Sequence, residues 1–287
     1  MPTVEFYEPK SIEEACQLLG DDDSRAVAGG TAVSILMRSG LLAPSRLVSL
    51  GRIGELTGIE DLDDRVRIGA TTTLTEVAES PVVKDRLPSL AMAAAAVGNV
   101  RVRNVATFGG NLAEADYASD PPAILAALGA TCEITGQAAT TRTLAVDEFI
   151  TGFYSNALEP GEVLTALVVP TPTARRTAYH RFVSRSEEDR PCVTVAVTAD
   201  MDGAEVGHLD VVVGAVSDRP QRVDSVLSAA AGRRLTEETI DEIAATYRGT
   251  LQPMSDLQGS EWYRRQLIHV LVRRALHQVA SPEENRG

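Results

Sequence analysis

Two glycine pairs, 80 residues apart, hold the groups in this chain best suited to chemistry: Ala28-Gly29-Gly30-Thr31-Ala32 and Thr107-Phe108-Gly109-Gly110-Asn111. The first follows a short apolar stretch. The second precedes Ser119-Asp120-Pro121-Pro122. Glycine permits positive φ and has no Cβ to keep a ligand off the backbone. Successive amide N–H groups in such a turn can converge on an anion. Either pair alone is equally an ordinary turn. Together, flanked by the hydroxyls of Thr31 and Thr107, the Asn111 amide and the Asp120 carboxylate, they suit one long ligand with a diphosphate and sugar hydroxyls. Neither pair is followed by the Lys-Ser or Lys-Thr of a P-loop. Gly29-Gly30 also lacks the third spaced glycine of a Rossmann turn.

The rest of the composition excludes several classes. The chain has 287 residues, 44% of them hydrophobic, and a net charge of −13. That length and apolar content support two domains. The acidic balance disfavours nucleic acid and anionic lipid. No apolar run approaches the roughly 20 residues that span a bilayer. The N-terminal Met1-Pro2-Thr3-Val4-Glu5-Phe6 carries no basic-then-apolar leader, so a cytoplasmic protein is expected. Three scattered cysteines, Cys16, Cys132 and Cys192, make no disulfide or metal pattern and read as small buried hydrophobes. An iron–sulfur cluster needs about four thiolates, so none is expected on this chain.

The elements that must position the two pairs follow from pattern. Ser11-Ile12-Glu13-Glu14 is a capping box ahead of a short helix with Gly20 past its end. Strands are expected at 25–28 and 47–50, with a helix at 32–39 closed by Gly40, so residues 1–55 form a strand–helix–strand unit. From 56 to 173 a second unit is expected, with strands at 65–72, 131–135 and 162–170 and helices at 87–97 and 121–128. The last is capped by Ser119 or Asp120. Pro170 to Thr173 reads as a linker. Residues 174–287 form an α+β region with strands at 192–201 and 208–216, a turn at Asp202-Gly203, and helices near 220–231, 236–248 and 260–280.

Taken whole, the sequence resembles the flavin-binding medium subunit of molybdenum hydroxylases, the group that includes carbon monoxide dehydrogenase and xanthine dehydrogenase. Ala28 to Ala32 resembles that family's first FAD loop. Arg103 to Leu112, with Ala115-Asp116 and Ser119-Asp120, resembles the second. Ile68-Gly69-Ala70-Thr71-Thr72, with Leu74 and Glu76, and the stretch Glu261 to Leu276 also match, so the likeness runs the length of the chain.

The resemblance implies an α+β protein: a two-subdomain FAD-binding domain of the vanillyl-alcohol-oxidase (PCMH) type over 1–173, then a small C-terminal α+β domain. FAD would lie between the subdomains. Residues Ala28, Gly29, Gly30, Thr31, Ala32 and Val33 would hold the diphosphate through backbone amides and the Thr31 hydroxyl. Thr107, Gly109, Gly110 and Asn111 would approach the flavin side. Ser119 and Asp120 would follow, Asp120 as an acceptor for sugar hydroxyls or as a helix cap. Leu164 would touch the flavin or belong to the core. Where the family often carries a lysine or an aromatic after Phe182, this chain has Val183 to Pro191, and Arg185 or Arg190 would be a cation near the ring or a solvated loop residue. Non-covalent FAD is implied because neither loop holds histidine or cysteine. The implied role is electron transfer from [2Fe-2S] clusters on a small subunit, with a molybdenum cofactor on a large subunit, to an external acceptor, in a dimer of heterotrimers. No acid/base residue is assigned. A self-contained flavin oxidase of the same fold and a non-catalytic scaffold are the competing readings.

Overall fold

The computed structural model describes residues 4–21, 23–172, 175–202 and 205–281. The first unit holds β1 (Glu5–Tyr7), α1 (Ile12–Leu18), β2 (Ser24–Val27), α2 (Thr31–Arg38) and β3 (Arg46–Ser49). Its sheet is parallel, in the order β1-β3-β2, so β2 is an edge strand. Ser11 caps α1 by accepting the Glu14 N–H, while the Glu14 carboxylate reaches back to the Lys10 N–H. Ala15, Cys16, Leu19, Val48 and Ile53 form a small core that also takes in Val163. The helix α2 is different, because none of its residues is buried.

The second unit is built on an antiparallel sheet of β4 (Ile59–Asp61), β5 (Arg65–Gly69), β6 (Thr131–Thr135), β7 (Thr141–Ala145) and β10 (Val163–Pro170), ordered β4-β5-β10-β6-β7. Between β5 and β6 run α3 (Leu74–Glu79), α4 (Pro81–Arg86), α5 (Pro88–Ala96), α6 (Val100–Arg103), α7 (Phe108–Glu114) and α8 (Pro121–Ala127). The turn α9 (Val146–Phe149) and the hairpin β8 (Ile150–Gly152) and β9 (Ser155–Asn156) follow β7. Every residue of α8 is buried. Neither expected cap serves it: Asp120 makes no capping bond, and the Ser119 hydroxyl donates instead to Asn111 Oδ1 at 2.9 Å. Pairing of β10 with β6 shifts register between Leu164 and Ala166. Bulges of this kind re-aim side chains beside sites.

The C-terminal region has an antiparallel sheet of β11 (Arg175–Phe182), β12 (Val193–Asp202) and β13 (Glu205–Gly214), in that order. It is followed by α10 (Asp224–Ala230), α11 (Glu237–Thr250) and α12 (Glu261–Ala280). The expected Asp202-Gly203 turn and the linker end at Thr173 involve residues outside those described, though Asp202 does pair with Glu205. Alternate residues of β12 face opposite ways. Val195 and Val197 join the core under α11 and α12, while Ala196 joins the core around α8. Among the described residues no helix is long and apolar enough to cross a membrane. The three cysteines are free and buried.

Candidate cofactor cleft

A cleft of about 430 Å³ opens between the first unit and the second. That volume lies in the range of small-molecule sites, roughly 300–1,000 Å³. Residues 28–33 line one side, Thr107, Gly109, Gly110 and Asn111 the other, and Leu164 contributes from β10. Eleven of the thirteen expected site residues therefore meet in one place. Ser119 and Asp120 do not reach it.

The two glycine pairs work differently. Gly30 is the N-cap of α2 at φ 68°, with no side chain closing the helix end. Ser34 N–H donates to the Gly30 carbonyl, but the N–H groups of residues 29–33 find no protein acceptor among the described residues. A helix N-terminus with unspent donors and a positive dipole end suits an anion. A Cβ on Gly29 would run into the Val105 carbonyl and Ala106 Cα, so this glycine is what lets the first loop lie against the chain entering the second.

The second pair is not an open turn but the first turn of α7. Its donors are already spent: Phe108 N–H on the Thr72 carbonyl (2.8 Å), Gly109 N–H on the Ala70 carbonyl (2.9 Å), and Gly110 N–H on Thr107 Oγ1 (3.2 Å). A Cβ on Gly109 would overlap Ala70, and one on Gly110 would press on Thr107 Oγ1. These glycines allow α7 to seat against the end of β5. That seat presents Asn111 to the cleft.

Asp120 is 3% exposed and faces the C-terminal sheet. The Tyr179 hydroxyl donates to its Oδ1 at 2.6 Å, and Arg181 Nε lies 2.9 Å from the same oxygen. Burial pushes this carboxyl up from the ordinary aspartate range, opposed by Arg181 and Tyr179. Arg181 also donates to the carbonyls of Ala96, Glu187 and Asp189, so it organises the stretch after Phe182. In that stretch Arg190 pairs with Asp116 on the cleft lining, and Arg185 is exposed.

Of the cleft's charges, only Asp116 lies in a motif legible in the sequence. Asp21, Glu114, Asp116, Glu159 and Glu162 line it, and Arg25 is the one cation among the described lining residues. Arg142 grips Glu162 at 2.8 and 2.6 Å, holding that carboxyl below the usual glutamate range. Asp21, Glu159, Glu162 and Arg25 sit in turns or at strand ends and Glu114 ends α7, with no shared spacing, so no motif announces them. Among the described residues the lining contains no histidine or cysteine.

The comparisons with known proteins fit this geometry. Residues 2–172 match the family model described as "FAD binding domain in molybdopterin dehydrogenase". Residues 178–279 match "CO dehydrogenase flavoprotein C-terminal domain". The chain therefore belongs to the FAD-binding medium subunits of the carbon monoxide and xanthine dehydrogenase type of molybdenum hydroxylase. It is 31% identical to the glyceraldehyde dehydrogenase medium chain of Sulfolobus acidocaldarius, over 97% of this chain and 99% of that one. It is 31% identical to the carbon monoxide dehydrogenase medium chain of Afipia carboxidovorans, over 99% of each. The solved structure of quinoline 2-oxidoreductase from Pseudomonas putida 86 superposes with a TM-score of 0.91 at 30% identity, covering 98% of both chains. The expected α+β FAD-binding fold is thus borne out, and the relatives are oxidoreductase subunits.

Proposed function

We propose that this chain is the electron-transfer flavin subunit of a heteromeric molybdenum hydroxylase, working with a small [2Fe-2S] subunit and a large molybdopterin subunit. The observation that carries the cofactor's placement is the run of unspent amides at residues 29–33, aimed from the start of α2 at a cleft of suitable size. Those amides, with the Thr31 hydroxyl, would hold the diphosphate. Asn111 can both donate to and accept from ring or ribityl groups, and Leu164 offers an apolar surface. Thr107 serves by capping α7. The eleven cleft residues make up the proposed site. Asp120 and Ser119 support it from outside.

FAD, when bound, supplies the redox chemistry: it takes electrons from the partner's clusters and releases them to an external acceptor. The chain's own contribution is to bind, orient and shield it. Attachment is non-covalent in this reading, since the described lining residues offer no histidine or cysteine. The relatives are named for glyceraldehyde, carbon monoxide and quinoline, which share no chemistry, yet their identities to this chain are 30–31%. That supports placing substrate recognition on another subunit. We further read residues 1–55, 56–173 and 174–287 as the three structural units, a dimer of heterotrimers as the assembly, and the cytoplasm as its location.

The test is reconstitution of the full chain with FAD. One flavin per chain, released by acid, supports the reading. No binding, or flavin that stays with the denatured polypeptide, contradicts it.

A further inference from the structure

The two walls of the cleft are held unequally. On the α1 side, the first unit shares a core with Val163 and bonds across to the second: Gly161 N–H donates to the Leu19 carbonyl and Cys16 Sγ to the Thr135 carbonyl. On the α2 side, no residue of the helix that presents the amide row is buried, and β2 is an edge strand. One charged contact crosses here. Arg25 Nη2 on β2 lies 3.6 Å from Glu114 Oε2 on α7, and both residues line the cleft.

Glu114 is an expensive residue in its position. Its side chain is only 14% exposed, and it sits in the last turn of α7, the negative end of the helix dipole. Burial raises its pKa most; Asp116 adds to that rise, while Arg25 and Arg190 oppose it. Among the described lining residues, Arg25 is the lone cation beside five carboxylates. A ligand with a diphosphate would gain from a free arginine there, yet Arg25 stands at ion-pair distance from Glu114.

We infer that Arg25 and Glu114 form a clasp across the cleft, tying the amide-bearing wall to α7 and slowing release of the bound cofactor. This rests on the FAD reading above. A pair held at 3.6 Å with its arginine 42% exposed is screened by solvent and contributes little to folding. The clasp's effect therefore belongs to ligand retention, where the same contact must break for the cleft to open.

The test is the rate of FAD dissociation from the full-length chain, followed by recovery of flavin fluorescence on dilution. R25Q and E114Q are each expected to speed release about fivefold, the scale of one partly screened ion pair. The charge-swapped R25E/E114R chain should return to within about twofold of wild type, because a clasp needs opposite charges and not their order. Melting temperatures of the flavin-free variants should match wild type. Unchanged release in both single variants overturns the clasp. So does faster release in R25Q with slower release in E114Q, which would mean that Arg25 faces the diphosphate alone. If wild-type chain takes up no FAD, the cofactor reading fails and the clasp is not what has been refuted.

Discussion

Asp120 and its two partners form a buried polar knot between the second unit and β11. Removing the carboxylate leaves the Arg181 guanidinium, itself 17% exposed at the side chain, without its counter-charge. Breaking a buried pair in this way costs about 3 kcal/mol or more. We predict that D120A lowers the unfolding free energy of the flavin-free chain by about that amount in urea, with a smaller effect on FAD affinity measured on the folded fraction. A large loss of affinity with unchanged stability would return Asp120 to the cofactor. The residue type is legible in sequence as an acceptor, but its direction is not, because Tyr179 and Arg181 lie about 60 positions away in a strand whose charges hide it. The acid limb of stability offers a second residue-scale check. Arg142 lowers the pKa of Glu162, so the unfolded state binds more protons than the native one there. This contribution is full above the ordinary glutamate value of about 4.3 and fades as pH falls through the native value. R142Q should therefore flatten the pH dependence of unfolding free energy below about pH 5, where Glu162 begins to bind its proton in the unfolded chain; an unchanged slope would contradict the pairing.

At the scale of elements, the first loop makes two different demands on adjacent glycines. Position 29 must lack a Cβ because Val105 and Ala106 occupy its place, whereas position 30 needs positive φ but a Cβ there would meet only the Val27 side chain, at an ordinary 3.5 Å. A left-handed alanine costs roughly 1–2 kcal/mol. We predict that G30A folds with a modest loss of melting temperature and weakened FAD binding, while G29A loses more of both, since the loop must leave its seat. G29A binding FAD as well as G30A would contradict this packing. The glycine pairs are visible in the sequence, but Thr107 to Asn111 reads as a loop because glycine disfavours helix interiors. The structure makes it helical by spending its amides on Thr72, Ala70 and Thr107. Six strands, β1, β4, β7, β8, β9 and β11, are not expected from the sequence, and two of them show no strand pattern at all. All three residues of β1 are exposed, and β11 carries Arg175, Arg176, His180 and Arg181, with only Ala178 and Tyr179 buried. Its charges are satisfied by Asp200, the end of α12 and Asp120, partners that no local window contains.

For the whole molecule, β12, the central strand of the C-terminal sheet, is buried on both faces over its first seven residues, and α8 packs against it. Thr198 Oγ1 donates to the Ala127 carbonyl and Arg222 to the Ala126 carbonyl, joining β12 and the chain before α10 to the end of α8. Shared cores of this kind unfold together. We predict coincident midpoints for far-ultraviolet circular dichroism and for the fluorescence of Trp262, the single tryptophan, which lies in α12. Separated midpoints would show that the C-terminal region folds on its own.

In the proposed role this chain relays electrons and does not itself oxidise a substrate. The most direct measurement is the visible flavin absorbance of the FAD-loaded chain under anaerobic conditions. Added glyceraldehyde, quinoline or carbon monoxide should leave it unchanged. The dithionite-reduced iron–sulfur subunit that purifies with it, freed of excess dithionite, should bleach it. Bleaching by a small organic substrate alone, or no bleaching by the reduced cluster subunit, would contradict the claim and favour a self-contained flavin oxidase.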